Sequence, residues 1–145
     1  MVTAEPKTIL LIEDNSDDEQ LALRAMRQSE VSNIVRVARD GAEALEMLFG
    51  ERAGTQLPDL ILLDLKLPKI SGLEVIARIR QEPVAALVPV VVLSSSDEER
   101  DIAESYALGA NSYIRKPVDF DEFIDAVKQL GSYWLSINCV TPAQA

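Results

Sequence analysis

The sequence contains no histidine and a single cysteine, Cys139, among its 145 residues. The lack of histidine excludes catalysis by Ser-His-Asp or Cys-His groups, zinc sites with histidine ligands and a phosphohistidine role. One cysteine cannot form a disulfide within the chain, which is typical of a reducing compartment. No apolar run approaches the ~20 residues of a membrane span, and residues 1–7 lack the apolar core of a signal peptide. We therefore expect a cytoplasmic protein without a membrane segment.

Basic residues are scarce as well, with 14 lysines and arginines against 24 aspartates and glutamates and a formal net charge of -10. A nucleic-acid surface needs a cluster of basic residues, so we expect no nucleic-acid partner. The acidic surplus has two interpretations. It either keeps the protein soluble or includes several carboxylates that converge on a cation.

Short apolar runs alternate with longer amphipathic stretches along the chain, a pattern typical of buried strands and surface helices. The alternation, with right-handed crossovers, predicts an α/β fold with a parallel sheet covered by helices on both faces. We expect one domain, residues 8–137, between short tails at 1–7 and 138–145. The predicted strands are residues 8–12, 33–38, 59–64, 89–93 and 112–115, and the predicted helices are residues 17–29, 42–49, 73–81, 97–108 and 119–137.

Polar side chains stand at the ends of four predicted strands. Glu13 and Asp14 follow the first strand, Asp64 ends the third, Ser94 follows the fourth and Lys116 follows the fifth. Each has an ordinary explanation by itself, such as a helix cap, a loop hydroxyl or a surface lysine. Because the carboxyl ends of parallel strands meet at one edge of a sheet, where ligands bind, their joint position favours a functional site.

This set of side chains is suited to phosphoryl chemistry. Three clustered carboxylates repel one another, and a divalent cation removes that conflict. Mg²⁺ prefers oxygen ligands, which Asp14 and Asp64 can supply directly and Glu13 through water. A carboxylate beside the cation can attack phosphorus and form an aspartyl-phosphate. Lys116 and Ser94 can then neutralise and hydrogen-bond the phosphoryl oxygens.

Four segments, in this order and spacing, resemble the receiver domains of two-component response regulators, which have the CheY-like, flavodoxin-type fold. They are ILLIEDN at residues 9–15, DLILLDLKLPKISG at 59–72, VVVLSS at 90–95 and NSYIRKP at 111–117. The resemblance covers residues 8–130 and implies a five-stranded (βα)5 sheet in the strand order 2-1-3-4-5. It also implies a signalling protein, not an enzyme, that a sensor histidine kinase phosphorylates.

By this resemblance Asp64 is the phosphorylated residue. Glu13 and Asp14 support Mg²⁺, or Mn²⁺, together with Asp64 and the backbone carbonyl of Lys66. Lys116 pairs with the phosphoryl group and precedes a cis-proline.

The same resemblance implies a conformational switch. Ser94 moves toward the phosphoryl group, and Tyr113 turns inward into the space released. With no output domain in the sequence, we expect a partner to bind the face of the fourth helix, fifth strand and fifth helix. We also expect a homodimer that forms through that face or through the C-terminal extension. The interface candidates are Ile102, Tyr106, Phe123, Val127 and Trp134. The alternative is that most of them are core residues.

A narrower resemblance covers the C-terminal run LGSYWLSINCVTP at residues 130–142 and the loop at 52–57. Both are similar to the small response regulators that partner bacterial phytochromes, which implies a phytochrome as the kinase. Several of those relatives have serine after the switch lysine, where this chain has Pro117.

Two other functions remain open. A phosphatase of the haloacid dehalogenase type also uses a strand-end aspartate and Mg²⁺, but it requires a second acid two residues later to protonate the leaving group. That position is Lys66, which argues against this enzyme. A receiver that is never phosphorylated is the other alternative, and the complete set of site residues argues against it.

Overall fold

The computed structural model describes residues 5–51 and 57–139, which form one parallel sheet flanked by helices. The observed order β2-β1-β3-β4-β5 confirms the predicted topology. None of the described helices is long and apolar enough to cross a membrane. The strands are β1 (Lys7–Ile12), β2 (Asn33–Ala38), β3 (Leu60–Leu63), β4 (Val90–Ser94) and β5 (Ser112–Arg115), and the helices are α1 (Ser16–Arg27), α2 (Gly41–Phe49), α3 (Gly72–Gln81), α4 (Glu99–Leu108), α5 (Phe120–Ser132) and a final π-helical turn (Tyr133–Ile137).

The central strands are buried on both faces, which explains their uninterrupted apolar sequences. Successive strand residues point to opposite faces, so neighbours such as Leu62 and Leu63 belong to different cores. One core packs the sheet against α1 and α5, and the other packs it against α2 and α3. Burying each such leucine, isoleucine or valine contributes about 1.5–3 kcal/mol relative to exposure. The sheet is thereby a rigid base for the residues at its edge.

Side-chain caps set several helix boundaries. The Asp18 N–H donates to Asn15 Oδ1 at 3.0 Å, so α1 begins at Ser16, one residue before the predicted start. α4 begins at Glu99, two residues later than predicted, because Ser96 Oγ accepts the N–H of Glu98 and holds the preceding residues as a loop.

The predicted last helix, residues 119–137, is two elements in the structure. The α-helix ends at Ser132, and the chain continues as a π-helical turn whose last hydrogen bond joins the Asn138 N–H to the Tyr133 carbonyl at 2.6 Å. Trp134 lies in this turn, half-buried against the α1–α5 core, with its ring edge-to-face on Tyr133 at 5.2 Å. The C-terminal segment described here is therefore packed on the domain.

Two of the five interface candidates are wrong. Phe123 and Val127 are buried in the core between α1, α5 and the sheet, because their helical spacing points them inward. Phe120, which shares that spacing, is 66% exposed at the first position of α5. Tyr106 is exposed, whereas Ile102 and Trp134 are half-buried.

Candidate functional site

The strand register brings the predicted carboxylates together. Ile12 pairs with Leu63, and the next residues are Glu13 and Asp64. The Asp64 N–H donates to the Ile12 carbonyl at 3.0 Å, which fixes Asp64 at the carboxyl edge of the sheet. Carboxylate oxygens of Glu13, Asp14 and Asp64 all lie within 4.8 Å of one another. The structure thus places the three acidic residues in one cluster.

This cluster has the composition and size of a divalent metal site. Its ligands are hard carboxylate oxygens, and cation–oxygen bonds of about 2.0–2.6 Å can span such a separation. Glu13 and Asp64 are buried, at 3% and 8% exposure, whereas Asp14 is exposed to solvent. The cluster therefore opens on one side, where waters or a phosphate oxygen could complete the coordination of a cation. The residues fit Mg²⁺ or Mn²⁺.

Lys116 connects three acidic side chains at the centre of the site. Its ammonium donates to Glu13 Oε1 at 2.7 Å, to Asp18 Oδ2 at 2.7 Å and to Asp64 Oδ2 at 3.0 Å. The side chain is only 8% exposed. The Lys116 N–H donates to the Ser94 carbonyl at 2.7 Å, which anchors the backbone just after β5. The sequence predicted Lys116 as the partner of a phosphoryl group, and the structure adds that it contacts three carboxylates of the site.

The charges of this cluster change the acidity of its members. Burial raises the pKa of Glu13 to about 7, and the ion pair with Lys116 offsets only part of that effect. For Lys116, burial alone would lower the pKa of the ammonium, but the hydrogen bonds to Asp18 and Glu13 outweigh it and raise the pKa above its ordinary value. Lys116 is therefore a permanent positive charge beside Asp64.

Asp18 is a site residue that the sequence analysis missed. It stands in the first turn of α1, where an acidic residue is explained by the helix dipole alone. Nothing local distinguishes it from Asp17, which is exposed in the same turn. Only the tertiary structure shows that Asp18 contacts Lys116, 98 residues away.

The loop after β3 fits closely around Asp64. The Lys66 N–H donates to Asp64 Oδ1 at 3.3 Å, and the Gly72 N–H donates to the Leu65 carbonyl at 2.9 Å. A Cβ on Gly72 would lie 2.5 Å from the Asp64 carbonyl oxygen, so the loop can close only over a glycine. This contact explains why Gly72 stands eight residues after Asp64. Metal binding by the Lys66 carbonyl stays a prediction.

The two predicted switch residues meet at Ser96. Ser94 is fully buried, and its Oγ accepts the Ser96 N–H at 3.3 Å. Tyr113 Oη donates to the Ser96 carbonyl at 2.8 Å, and its ring is half-buried against the core. Ser96 Oγ in turn donates to Asp101 Oδ2 in the first turn of α4, at 2.6 Å. The loop after β4 therefore joins the switch pair to α4, a connection that the sequence did not reveal.

Two expectations remain, the cis-proline after Lys116 and the two segments that are similar to phytochrome partners. The expected cis-proline is wrong, because the Lys116–Pro117 bond is trans, the isomer that X-Pro bonds favour by about 0.5–1 kcal/mol. In that conformation Lys116 still reaches its three carboxylates. Of the two segments similar to phytochrome partners, residues 52–56 and 140–142 lie outside the described structure.

Known proteins resemble this chain over nearly its whole length. Residues 9–128 match the family described as the response regulator receiver domain. The probable methanogenesis regulatory protein FilR2 of Methanothrix harundinacea is 37% identical over 135 residues, which cover 92% of this chain and 87% of that protein. Response regulator Rcp1 of Synechocystis is 39% identical over 132 residues, which cover 90% of each.

Solved structures of response regulators also resemble this chain over most of its length. The phosphorylated cyanobacterial phytochrome response regulator RcpA superposes with a TM-score of 0.89 at 42% identity, covering 95% of this chain and 100% of its own. The Mn²⁺-bound form of Rcp1 has a TM-score of 0.86 at 36% identity, covering 94% and 100%. Proteins with this fold thus include one solved in a phosphorylated form and one with a divalent cation bound.

Proposed function

Since the chain belongs to the response regulator receiver domain family, we propose that Asp64 accepts its phosphoryl group and that Glu13, Asp14 and Lys116 make this possible. The observation that carries the proposal is the position of Asp64. It is a buried carboxylate at a strand end, held 3.0 Å from a lysine ammonium and within 4.8 Å of two further carboxylates. A buried charge is costly unless it is paired or binds a metal, and the surroundings of Asp64 offer both a lysine ammonium and a group of carboxylates that fits a cation.

The chemistry follows from the two oxygens of Asp64. One oxygen forms a bond to phosphorus while the bond from phosphorus to the imidazole nitrogen of a phosphohistidine donor breaks, and the freed imidazole keeps the electron pair and takes up a proton. Lys116 offsets the negative charge that the phosphoryl group brings into the site. A bound Mg²⁺, or Mn²⁺, supplies further charge neutralisation on the phosphoryl oxygens. Its ligands would be Glu13, Asp14, Asp64 and the Lys66 carbonyl.

The site lacks the second acid that a phosphatase of the haloacid dehalogenase type requires. Two residues after Asp64, the side chain of Lys66 is exposed to solvent and is not an acid. A leaving alcohol would therefore receive no proton from that position. We propose that the chain takes part only in its own phosphorylation and dephosphorylation, and acts on no separate substrate.

The output of phosphorylation is proposed to run through the loop after β4. Within that loop, Ser94 Oγ accepts the Ser96 N–H, and among the described residues it makes no hydrogen bond to Asp64 or Lys116. If Ser94 turns toward a phosphoryl group on Asp64, it must release Ser96, which also holds Tyr113 and the first turn of α4. The surface of α4 and β5, where Tyr106 is exposed, would change with it.

The proposed phosphoryl donor is a sensor histidine kinase of the phytochrome type, acting in the cytoplasm. Support comes from RcpA, which is described as a cyanobacterial phytochrome response regulator and is 42% identical. FilR2, a relative of comparable identity, is described as a probable methanogenesis regulatory protein and not as a phytochrome response regulator. We propose further that the chain forms a homodimer, through the face of α4, β5 and α5 or through the segment around Trp134.

The central test is chemical phosphorylation of the full chain with acetyl phosphate and Mg²⁺, followed by intact mass. We expect the mass of one added phosphoryl group in the wild type and in Asp97→Asn, a matched control at an exposed carboxylate in the loop after β4. We expect none in Asp64→Asn. A wild type that gains no phosphoryl group, under conditions that label a known receiver, would support the unphosphorylated alternative instead.

A further inference from the structure

The ammonium of Lys116 has all its hydrogen-bonding capacity engaged. A lysine ammonium has three N–H donors. In this structure they meet three different carboxylates, those of Glu13, Asp18 and Asp64, at 2.7, 2.7 and 3.0 Å. Lys116 is therefore held from three sides, and its ammonium can bind a phosphoryl group only if one of these carboxylates gives up or shares its hydrogen bond.

Two of these three partners also belong to the cluster of carboxylates that fits a metal ion, formed by Glu13, Asp14 and Asp64. Glu13 and Asp64 have oxygens within 4.8 Å of each other and of Asp14, the arrangement that fits a divalent cation. A cation on those oxygens takes up their negative charge and repels the nearby ammonium. A bound cation would therefore weaken the contacts of Glu13 and Asp64 with Lys116, although Lys116 has to stay in the site to bind a phosphoryl group.

Asp18 is the partner of Lys116 that does not belong to this cluster of carboxylates. Its backbone is fixed by the N–H bond to Asn15 Oδ1 at 3.0 Å, so α1 presents the carboxylate in one place. The Asp18 side chain is 25% exposed, and among the described residues its salt bridge is with Lys116. It can keep this bond whether or not a cation is present.

We propose that Asp18 is a positioning residue that keeps Lys116 in the site once a divalent cation has bound Glu13 and Asp64, so that the ammonium is in place for the phosphoryl group. The inference rests on the proposed phosphoacceptor function of Asp64 and assigns to α1 a part in it. Without the carboxylate of Asp18, Lys116 in the metal-loaded protein is repelled by the cation and turns toward solvent.

The test compares Asp18→Asn with Asp17→Asn in the full chain. Asp17→Asn is a matched control, because it removes the same charge from the same helical turn at an exposed position. With saturating Mg²⁺ and acetyl phosphate, we expect Asp18→Asn to be phosphorylated roughly tenfold more slowly, which corresponds to about 1.4 kcal/mol in the barrier. Asp17→Asn should stay close to the wild-type rate. In a Lys116→Met background, Asp18→Asn should slow the reaction no further than Asp17→Asn does.

A second readout needs no phosphoryl group. Heteronuclear NMR of lysine ammonium groups in the Mg²⁺-loaded protein should show one slowly exchanging signal that Lys116→Met removes. We expect Asp17→Asn to retain this signal and Asp18→Asn to lose it. If a phosphorylated wild type is accompanied by an Asp18→Asn variant that matches Asp17→Asn in rate and signal, the role of Asp18 is refuted and the function of Asp64 stands. A wild type that is never phosphorylated refutes both.

Discussion

Replacing Gly72 with alanine tests whether the loop after β3 holds Asp64 in position. A Cβ at residue 72 would lie 2.5 Å from the carbonyl oxygen of Asp64 and 2.6 Å from the Cα of Leu65. Both are backbone atoms, so neither can rotate away as the end of a side chain could. In Gly72→Ala the backbone must therefore shift at residue 72 or at Asp64 and Leu65, and we expect the carboxylate of Asp64 to be displaced.

The size of the effect follows from two opposing contributions. Alanine has the higher helix propensity, by up to about 1 kcal/mol in a helix interior and less at the first residue of α3. Forcing an extra methyl group into a packed site costs about 1–3 kcal/mol, and here the contacts are with rigid atoms. We expect Gly72→Ala to lower the free energy of unfolding by about 2 kcal/mol. For a chain of this length that is a decrease of about 4–8 °C in Tm.

Gly131→Ala is the matched control. It is also a helical glycine, but a Cβ there would lie 3.1 Å from Met26 Cε, the end of a flexible side chain that can move aside. Its stability should stay within about 1 kcal/mol of the wild type. The assay is urea unfolding of all three proteins, with phosphorylation by acetyl phosphate measured in parallel. If Gly72→Ala proves as stable as Gly131→Ala and is phosphorylated at the wild-type rate, the close packing around Asp64 does not have the importance we give it.

Two further outcomes are expected. Arg80→Ala should lower the free energy of unfolding by about 2–4 kcal/mol in urea titrations, because the half-buried guanidinium donates to three backbone carbonyls and to the Asn111 amide oxygen. An equal loss of stability in the exposed control Arg78→Ala would contradict this. If the homodimer forms through the C-terminal segment, Trp134→Ala should halve the mass in light scattering, while Tyr106→Ala, on α4, should leave it unchanged. The reverse result would assign the dimer interface to the α4 face. A monomeric wild type would refute the proposed homodimer.

The sequence was most informative where its pattern is local. The apolar runs at residues 60–63 and 90–93 identify β3 and β4, because a strand buried on both faces reads as a nearly continuous apolar run. The first residue of α4 was harder to predict, since it depends on a hydrogen bond from the Glu98 N–H to the side chain of Ser96. The burial of Phe123 and Val127 was undecided for another reason. Helical periodicity shows that they share a face, but not whether that face meets the sheet or a partner.

The sequence by itself determined that Glu13, Asp14, Asp64 and Lys116 would share one edge of a parallel sheet, because each follows a strand and the carboxyl ends of parallel strands point the same way. Only the tertiary structure decided which of them touch. Lys116 and Asp18 are 98 residues apart, and their 2.7 Å contact depends on how α1 and α5 pack on one face of the sheet. Strand order is a property of pattern and chain connection, whereas a side-chain contact requires the packed positions of both backbones.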